Sequence, residues 1–240
     1  MIPAPFDYVV AEAPDHAIEL LGKREDAKLL AGGHSLIPAM KLRLARPALL
    51  VDVGRIAALS YVQEEPDSIA IGALTRHKDV AASSELRQHC PIVSSTAAQI
   101  GDPQVRHRGT IGGSLAHGDP ASDLPSVMLA VGANLIARGS GGERSIPASE
   151  FFTGVFATAL EPDEMLMQIR VPKLGSAGWS YTKMSRRAQV WASIAVAAVV
   201  DGTGSSERAS AISCGVAARS GVAFIGDVTR SMIARSSSRV

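Results

Sequence analysis

The first third of the chain shows short apolar runs separated by helical patterns. Residues 15–21 place apolar side chains at helical spacing and predict a short helix. The mainly apolar runs at residues 28–31 and 48–53 predict two buried strands. Between them, residues 36–44 are predicted to form a helix that Ser35 caps. The chain therefore opens as helix, strand, glycine turn, helix and strand.

The rest of the chain mixes short strands with helices. Residues 61–65 and 68–74 predict a hairpin. Helices are predicted over residues 75–82 (capped by Thr75), 91–100 and 123–131. Further strands are predicted over residues 134–138, 165–171, 178–184 and 191–200, with a weaker one over 209–216. This order predicts an α+β fold with a boundary near residues 174–178.

Composition narrows the class of protein. The 240 residues are 46% hydrophobic and carry a formal net charge of +1, which gives no basic field for nucleic acid. Two cysteines, Cys90 and Cys214, are too few for a four-thiolate cluster or a disulfide framework. The N-terminus lacks a leader pattern, and the longest apolar run, Ile194–Val200, is far shorter than the ~20 residues of a membrane span. We therefore expect a cytoplasmic protein without a membrane segment.

Two glycine-rich clusters stand out, AGGHS at residues 31–35 and TIGGS at residues 110–114. Each alone favours a simple turn. Neither has the spacing of a Walker or a dinucleotide-binding Rossmann motif. Glycine permits positive φ and the close approach of a ligand, and consecutive amides can form an anion site. Together the clusters predict two turns that converge on a diphosphate, with added hydroxyls from Ser35, Thr110 and Ser114.

The combination of motifs resembles a known family. AGGHS after a strand, then TIGGS followed by a histidine and DPASDLP, is similar to the FAD-binding medium subunit of the molybdenum hydroxylases. That family includes the carbon monoxide and xanthine dehydrogenases. Residues 6–21, 40–56 and 164–172 share the resemblance, which extends to about residue 200.

The resemblance implies a two-subdomain FAD-binding fold of the vanillyl-alcohol-oxidase (PCMH) type. The FAD-binding domain would occupy residues 1–176, with subdomains of about 1–56 and 57–176. A smaller C-terminal α+β domain, residues 177–240, would follow, and we expect it to be truncated or divergent.

The resemblance also implies the residues that hold a non-covalent FAD. They are Ala31, Gly32, Gly33, His34, Ser35, Ile100, Thr110, Ile111, Gly112, Gly113, Ser114, Asp123, Leu166 and Lys183. The two clusters would contact the diphosphate, and Asp123 would lie near the adenosine half. Ile100 and Leu166 would pack along the flavin or adenine, and Lys183 would lie near the isoalloxazine. No catalytic residue and no metal ligand is expected in this chain.

The implied function is an FAD-binding electron-transfer subunit of a molybdenum-containing dehydrogenase. It would take electrons from [2Fe–2S] clusters of a small subunit and pass them to an external acceptor. The molybdenum cofactor would belong to a large subunit, and the complex would be a dimer of heterotrimers. The alternative is a non-catalytic or flavin-poor scaffold subunit of the same complex.

Two features depart from the resemblance, and a third, the basic run of residues 106–108, has two interpretations. Val190 stands just before Trp191, at a position where relatives commonly carry an acidic residue. After Gly202 the chain is rich in Ser, Arg and Ala, which suggests a shifted reading frame as a hypothesis. The basic run of residues 106–108 could face phosphate or a partner, although a solvated surface is the simpler interpretation.

Overall fold

The computed structural model describes residues 2–185, 187, 189, 191–200 and 212–213. The strands are β1 (Asp7–Val10), β2 (Ala27–Leu30), β3 (Leu49–Asp52), β4 (Val62–Glu64), β5 (Ser68–Gly72), β6 (Asn134–Gly139), β7 (Gly142–Pro147), β8 (Phe152–Gly154), β9 (Ala157–Thr158), β10 (Met165–Pro172), β11 (Gly178–Met184), β12 (Ile194–Val200) and β13 (Ile212–Ser213). The α-helices are α1 (Pro14–Lys23), α2 (Leu36–Lys41), α3 (His77–Ala82), α4 (Ser84–His89), α5 (Pro91–Ala98), α6 (Pro103–Arg108), α7 (Ile111–His117), α8 (Asp123–Val131) and α9 (Ala148–Phe151), and a 3-10 turn covers Ala57–Leu59.

The first sheet has three parallel strands in the order β1-β3-β2. Helix α1 crosses from β1 to β2 and buries its apolar face, including Ile18 and Leu21, against this sheet. Because the strands are parallel, their carboxyl ends share one edge. The glycine turn after β2 and the Val53-Gly54-Arg55 segment after β3 both leave the sheet at that edge.

The second sheet has five antiparallel strands in the order β4-β5-β10-β6-β7. Strand β10 serves two cores because a register shift between Leu166 and Gln168 changes which side chains point to each face. Met165 and Met167 pack with the core of the first sheet. Leu166 and Ile169 pack into the second core, which helices α5, α7 and α8 help to form. This strand therefore joins the two halves of the molecule.

The third sheet pairs β11, β12 and β13 in antiparallel order. Strand β12 lies against α8, and its Ala197 and Val199 are buried in the second core. Only Ile212–Ser213 of the predicted strand at residues 209–216 is described, and it pairs with β12. Val190 lies outside the described residues, as does the chain from residue 201 onward apart from these two positions.

Most predicted elements are present, but two predicted caps are wrong. Helix α8 and the hairpin of β4 and β5 lie where the pattern placed them. Ser35 has helical backbone angles (φ −101°, ψ −48°) and its side chain caps nothing in α2. Thr75 lies two residues before α3, where its hydroxyl donates to the Tyr61 carbonyl at 2.9 Å and accepts from the Tyr61 amide at 3.0 Å.

The sequence pattern missed several elements, namely the helices α4, α6 and α9 and the strands β1, β7, β8 and β9. The α+β class is nevertheless confirmed, since parallel, antiparallel and helical layers are all present. The domain limits stay a prediction. In the part of the chain that the structure describes, every helix is too short or too polar to cross a bilayer.

Gly72 allows two chain segments to lie in close contact, which gives a stability test. A Cβ at Gly72 would lie 2.3 Å from the Leu59 carbonyl oxygen, a backbone atom that cannot rotate away. We expect Gly72→Ala to lower the free energy of unfolding by about 1–3 kcal/mol, measured by urea denaturation followed by circular dichroism. Gly22→Ala is the matched control, because Gly22 lies in helix α1 with open space around it. Equal midpoints for the two variants would contradict the packing described.

Candidate functional site

The first glycine cluster forms the turn between β2 and α2. Gly33 has φ +76°, and a Cβ there would lie 2.8 Å from Ile37 Cδ1, so only glycine fits without strain. The amides of residues 32–35 donate to no acceptor in the described part of the chain. Consecutive unpaired amides of this kind favour an anion. This cluster therefore has the donors that a diphosphate needs.

The second glycine cluster does not form a loop between two elements. It forms the beginning of helix α7. Thr110 caps the helix, and all four amides that follow it already have acceptors. They are Ile111 to Thr75 O (3.0 Å), Gly112 to Ala73 O (2.9 Å), Gly113 to Thr110 Oγ1 (3.2 Å) and Ser114 to Thr110 O (3.0 Å). The expectation that both clusters present unpaired amides is therefore wrong for the second one.

The two clusters nevertheless meet. A Cβ at Gly32 would lie 2.4 Å from the Arg108 carbonyl oxygen and 2.9 Å from Gly109 Cα. A Cβ at Gly113 would lie 3.7 Å from Ala31 Cβ. The bare backbone of Gly32 thus packs directly on the chain that leads into α7. Glycine is therefore required at position 32 for this contact between two protein segments, in addition to any role in ligand binding.

A cleft of about 250 Å³ opens beside this contact, at the carboxyl edge of the parallel sheet. Its lining includes Ala31, Gly32, Asp52, Arg55, Arg76 and Arg108. Its carboxylate already has two donors, because Asp52 accepts from the Tyr8 hydroxyl at 2.5 Å and from the Gly54 amide at 2.8 Å. Sequence reasoning missed Arg55 and Arg76, although Arg55 lies in the segment that follows strand β3.

Asp123 and Lys183 form a second feature, a buried ion pair. Lys183 Nζ lies 3.0 Å from Asp123 Oδ1, and the two side chains are 9% and 6% exposed. The Tyr181 hydroxyl donates to the same carboxylate at 2.6 Å, and burial together with this bond raises the pKa of Tyr181. Helix α8 supplies the carboxylate, and strand β11 supplies its two partners. The predicted roles at opposite ends of a cofactor therefore fall on adjacent atoms.

The remaining predicted residues lie either in the second core or at the surface of the first turn. Ile100 is half-buried and packs against the second core, just after helix α5. Leu166 is 4% exposed on β10 and belongs to the same core. His34 and Ser35 are exposed in the first turn.

His77, which sequence reasoning did not single out, packs against Gly109, next to the second cluster. It is 4% exposed, and its Nδ1 has no hydrogen-bond partner among the described residues. Burial lowers its pKa to about 4, and the nearby charges of His34 and Arg76 act in the same direction. The ring packs on Gly109, where a Cβ would lie 2.7 Å from its Cδ2. The ring is therefore neutral at physiological pH.

Comparison with known proteins decides the family. The family described as FAD binding domain in molybdopterin dehydrogenase matches residues 4–174. The chain belongs to this family. The carbon monoxide dehydrogenase medium chain of Hydrogenophaga pseudoflava is 43% identical over 206 residues, which cover 85% of this chain and 72% of that protein. The 6-hydroxypseudooxynicotine dehydrogenase complex subunit alpha of Paenarthrobacter nicotinovorans is 45% identical over 189 residues, 78% and 64% of the two chains.

Solved structures agree with the family. A carbon monoxide dehydrogenase from Hydrogenophaga pseudoflava, which lacks the Mo-pyranopterin moiety, superposes with a TM-score of 0.84 at 42% identity. The match covers 88% of this chain and 75% of that one. The resemblance and the FAD-binding fold inferred from the sequence are thus confirmed, and the protein is an FAD-binding member of an oxidoreductase family. The unpaired amides at residues 32–35 suit the anionic diphosphate of FAD.

The neutral, buried His77 predicts a specific dependence of stability on pH. Its folded pKa lies below the ordinary value, so the unfolded chain binds a proton first as the pH falls. The stability present above pH ~6.5 is therefore lost between about pH 6.5 and pH 4. We expect His77→Gln to lose roughly 1–2 kcal/mol less than the wild type between pH 7.5 and pH 5, in urea titrations at each pH. Parallel stability curves would show that His77 does not carry this effect.

The buried pair gives a second prediction. Asp123→Asn leaves the Lys183 ammonium buried without a counter-charge. Lys183→Met leaves the Asp123 carboxylate buried without one. Each single substitution should cost about 3–5 kcal/mol of unfolding free energy. The double variant should cost clearly less than the sum, because it leaves no unpaired charge.

The exposed pair of Lys23 and Glu19 is the matched control for this cycle. Lys23→Met should leave the urea midpoint nearly unchanged, because exposed pairs contribute little. Additive costs for the Asp123 and Lys183 variants would contradict a coupled buried pair.

Proposed function

We propose that the chain is the FAD-carrying, electron-transfer subunit of a molybdenum-containing dehydrogenase. In this role it receives electrons from iron–sulfur clusters of a small partner subunit and passes them to an external acceptor. One observation carries the proposal. In a chain of this family, the backbone of Gly32 packs on Arg108 and Gly109 while the amides of residues 32–35 stay free of protein acceptors.

The two clusters have different tasks in the proposed site. The turn of residues 31–35 donates its amides to the diphosphate. Residues 110–114 supply a fixed wall, in which exposed Gly113 admits the ligand and the Ser114 hydroxyl adds a donor. The wall is rigid because its own amides are bonded to Ala73, Thr75 and Thr110.

The remaining predicted residues extend the site along the cofactor. We assign Ile100 and Leu166 to apolar packing along its rings. The ion pair of Asp123 and Lys183 faces one part of the cofactor, since its two members are in contact. The positive charge of Lys183 is offset by that carboxylate, so the pair presents a dipole rather than a full charge. When bound, FAD supplies the redox chemistry, and the protein holds and orients it.

In the proposed function, the metal centres that exchange electrons with the flavin belong to partner subunits. Among them, no group of three or more His, Cys, Asp or Glu side chains is arranged to hold a metal ion. Cys90 is buried, and burial raises the pKa of its thiol to about 12. Following the family, we assign the [2Fe–2S] clusters to a small subunit and the molybdenum cofactor to a large one.

The assembly follows the similar proteins, which are named as a medium chain and as a subunit of a dehydrogenase complex. We propose a dimer of heterotrimers. Within this chain we propose an FAD-binding domain of residues 1–176, with subdomains of about 1–56 and 57–176, and a C-terminal domain of 177–240. The cytoplasmic location stays a prediction from the sequence.

Purification of the complete chain tests the proposal. We expect a yellow protein with the visible bands of flavin, and extraction should return about one FAD per chain. Gly33→Ala should lower FAD affinity by about tenfold, since an alanine at φ +76° is strained and crowds Ile37. Fluorescence titration of the flavin-free protein measures this.

Gly141→Ala is the matched control, because open space surrounds Gly141. It should bind FAD as the wild type does. A colourless wild-type chain that still copurifies with the large molybdenum subunit would contradict the proposal and support the flavin-poor scaffold.

A further inference from the structure

The cleft beside the first glycine turn holds more positive charge than its surroundings offset. Arg55, Arg76 and Arg108 line it, and none of the three forms an ion pair of 4 Å or less with a described carboxylate. Asp52, at the cleft wall, is bonded to Tyr8 and Gly54 instead. Asp52 and Asp79 offset the charge of Arg76 only in part, since burial and the charge of Arg108 outweigh them and lower its pKa. Three cations thus line the cleft with one carboxylate, Asp52.

Arg76 is the arginine of this group that the protein holds in place, whereas Arg55 and Arg108 are exposed. Its guanidinium donates to the Arg108 carbonyl, the same oxygen on which Gly32 packs. Its backbone pairs with Thr110 in an isolated antiparallel bridge. Burial, followed by the charge of Arg108, lowers the pKa of Arg76, so the two cations repel each other across the cleft. An anion between them would relieve that repulsion.

The two glycine clusters supply too few free amides to balance the charge of a diphosphate, so the arginines can contribute to its binding. The amides of residues 111–114 are bonded within the protein, and only the turn of residues 31–35 keeps free donors. A diphosphate carries two negative charges, and it is the only charged part of FAD at neutral pH. Amides from one turn would balance these two negative charges only in part.

We propose that Arg55, Arg76 and Arg108 bind the diphosphate of FAD, as cationic partners of the free amides of residues 32–35. This assignment rests on the proposed function. It places the diphosphate at the carboxyl edge of the parallel sheet, where strands β2 and β3 deliver Gly32 and Arg55 to one cleft.

The test compares FAD with riboflavin, which has the same ring and no phosphate. The complete chain is freed of flavin, and quenching of flavin fluorescence gives the dissociation constant of each ligand. We expect Arg55→Met and Arg108→Met each to weaken FAD binding by about tenfold or more, because each loses a charge-assisted contact. Riboflavin binding should be unchanged. The FAD affinity of the wild type should also fall with added salt more steeply than that of either variant.

Arg76 needs a separate variant, because it also bonds the Arg108 carbonyl. Arg76→Lys keeps the charge and should retain most of the FAD affinity, whereas Arg76→Met should lose it. Arg87→Met is the matched control, since Arg87 also donates to a backbone carbonyl, that of Ala81 at 3.0 Å, but lies on α4 away from the cleft. Thermal unfolding by circular dichroism confirms that each variant is folded.

The outcomes separate this assignment from the function on which it rests. If the wild type binds FAD and the Arg55 and Arg108 variants bind it equally well, the arginine assignment is wrong and the flavin site stands. If FAD-saturated protein still binds inorganic phosphate in calorimetry and the variants do not, the cleft holds a separate phosphoanion, which also overturns it. A wild-type chain that binds no FAD overturns both.

Discussion

A short backbone ladder between residues 73–77 and 109–112 is the constraint on which the candidate site depends. The amides of Ile111 and Gly112 donate to Thr75 and Ala73, and the His77 amide donates to Gly109 at 3.0 Å. The ladder fixes the start of helix α7 to the end of strand β5. Gly32, from the other sheet, then packs on the segment so fixed. Two parts of the chain that are far apart in sequence thereby form one cleft.

The ladder also makes the site asymmetric. The ladder bonds the amides of Ile111 and Gly112, and Thr110 bonds those of Gly113 and Ser114, so this segment acts as a rigid wall. The free donors lie on the turn of residues 31–35. Arg76 belongs to the ladder through its backbone and to the cleft through its side chain. Backbone geometry and local charge thus come from the same few residues. The neutral ring of His77 fills the space beneath Gly109 and adds no further positive charge there.

The sequence predicted what is local and missed what is tertiary. Helix α8 and the hairpin of β4 and β5 follow from periodicity and turn residues, and the family from two short motifs. The second cluster was predicted as a turn because its glycines suggest one, whereas Thr110 and the ladder make it helical. The pairing of Asp123 with Lys183 joins residues 60 positions apart. The cleft arginines come from three separate segments. The basic run of residues 106–108 marks Arg108 in the sequence, but no local pattern joins it to Arg55 and Arg76.

Amide hydrogen exchange with and without FAD tests the central claim most directly. The ladder and the bonds to Thr110 predict that the amides of residues 111–114 exchange slowly in the flavin-free protein and change little when FAD is added. The free amides of residues 32–35 should exchange rapidly without FAD and become protected when it binds. Exchange at residues 32–35 that stays rapid in the FAD-saturated protein would contradict the account, because the diphosphate would then lie elsewhere.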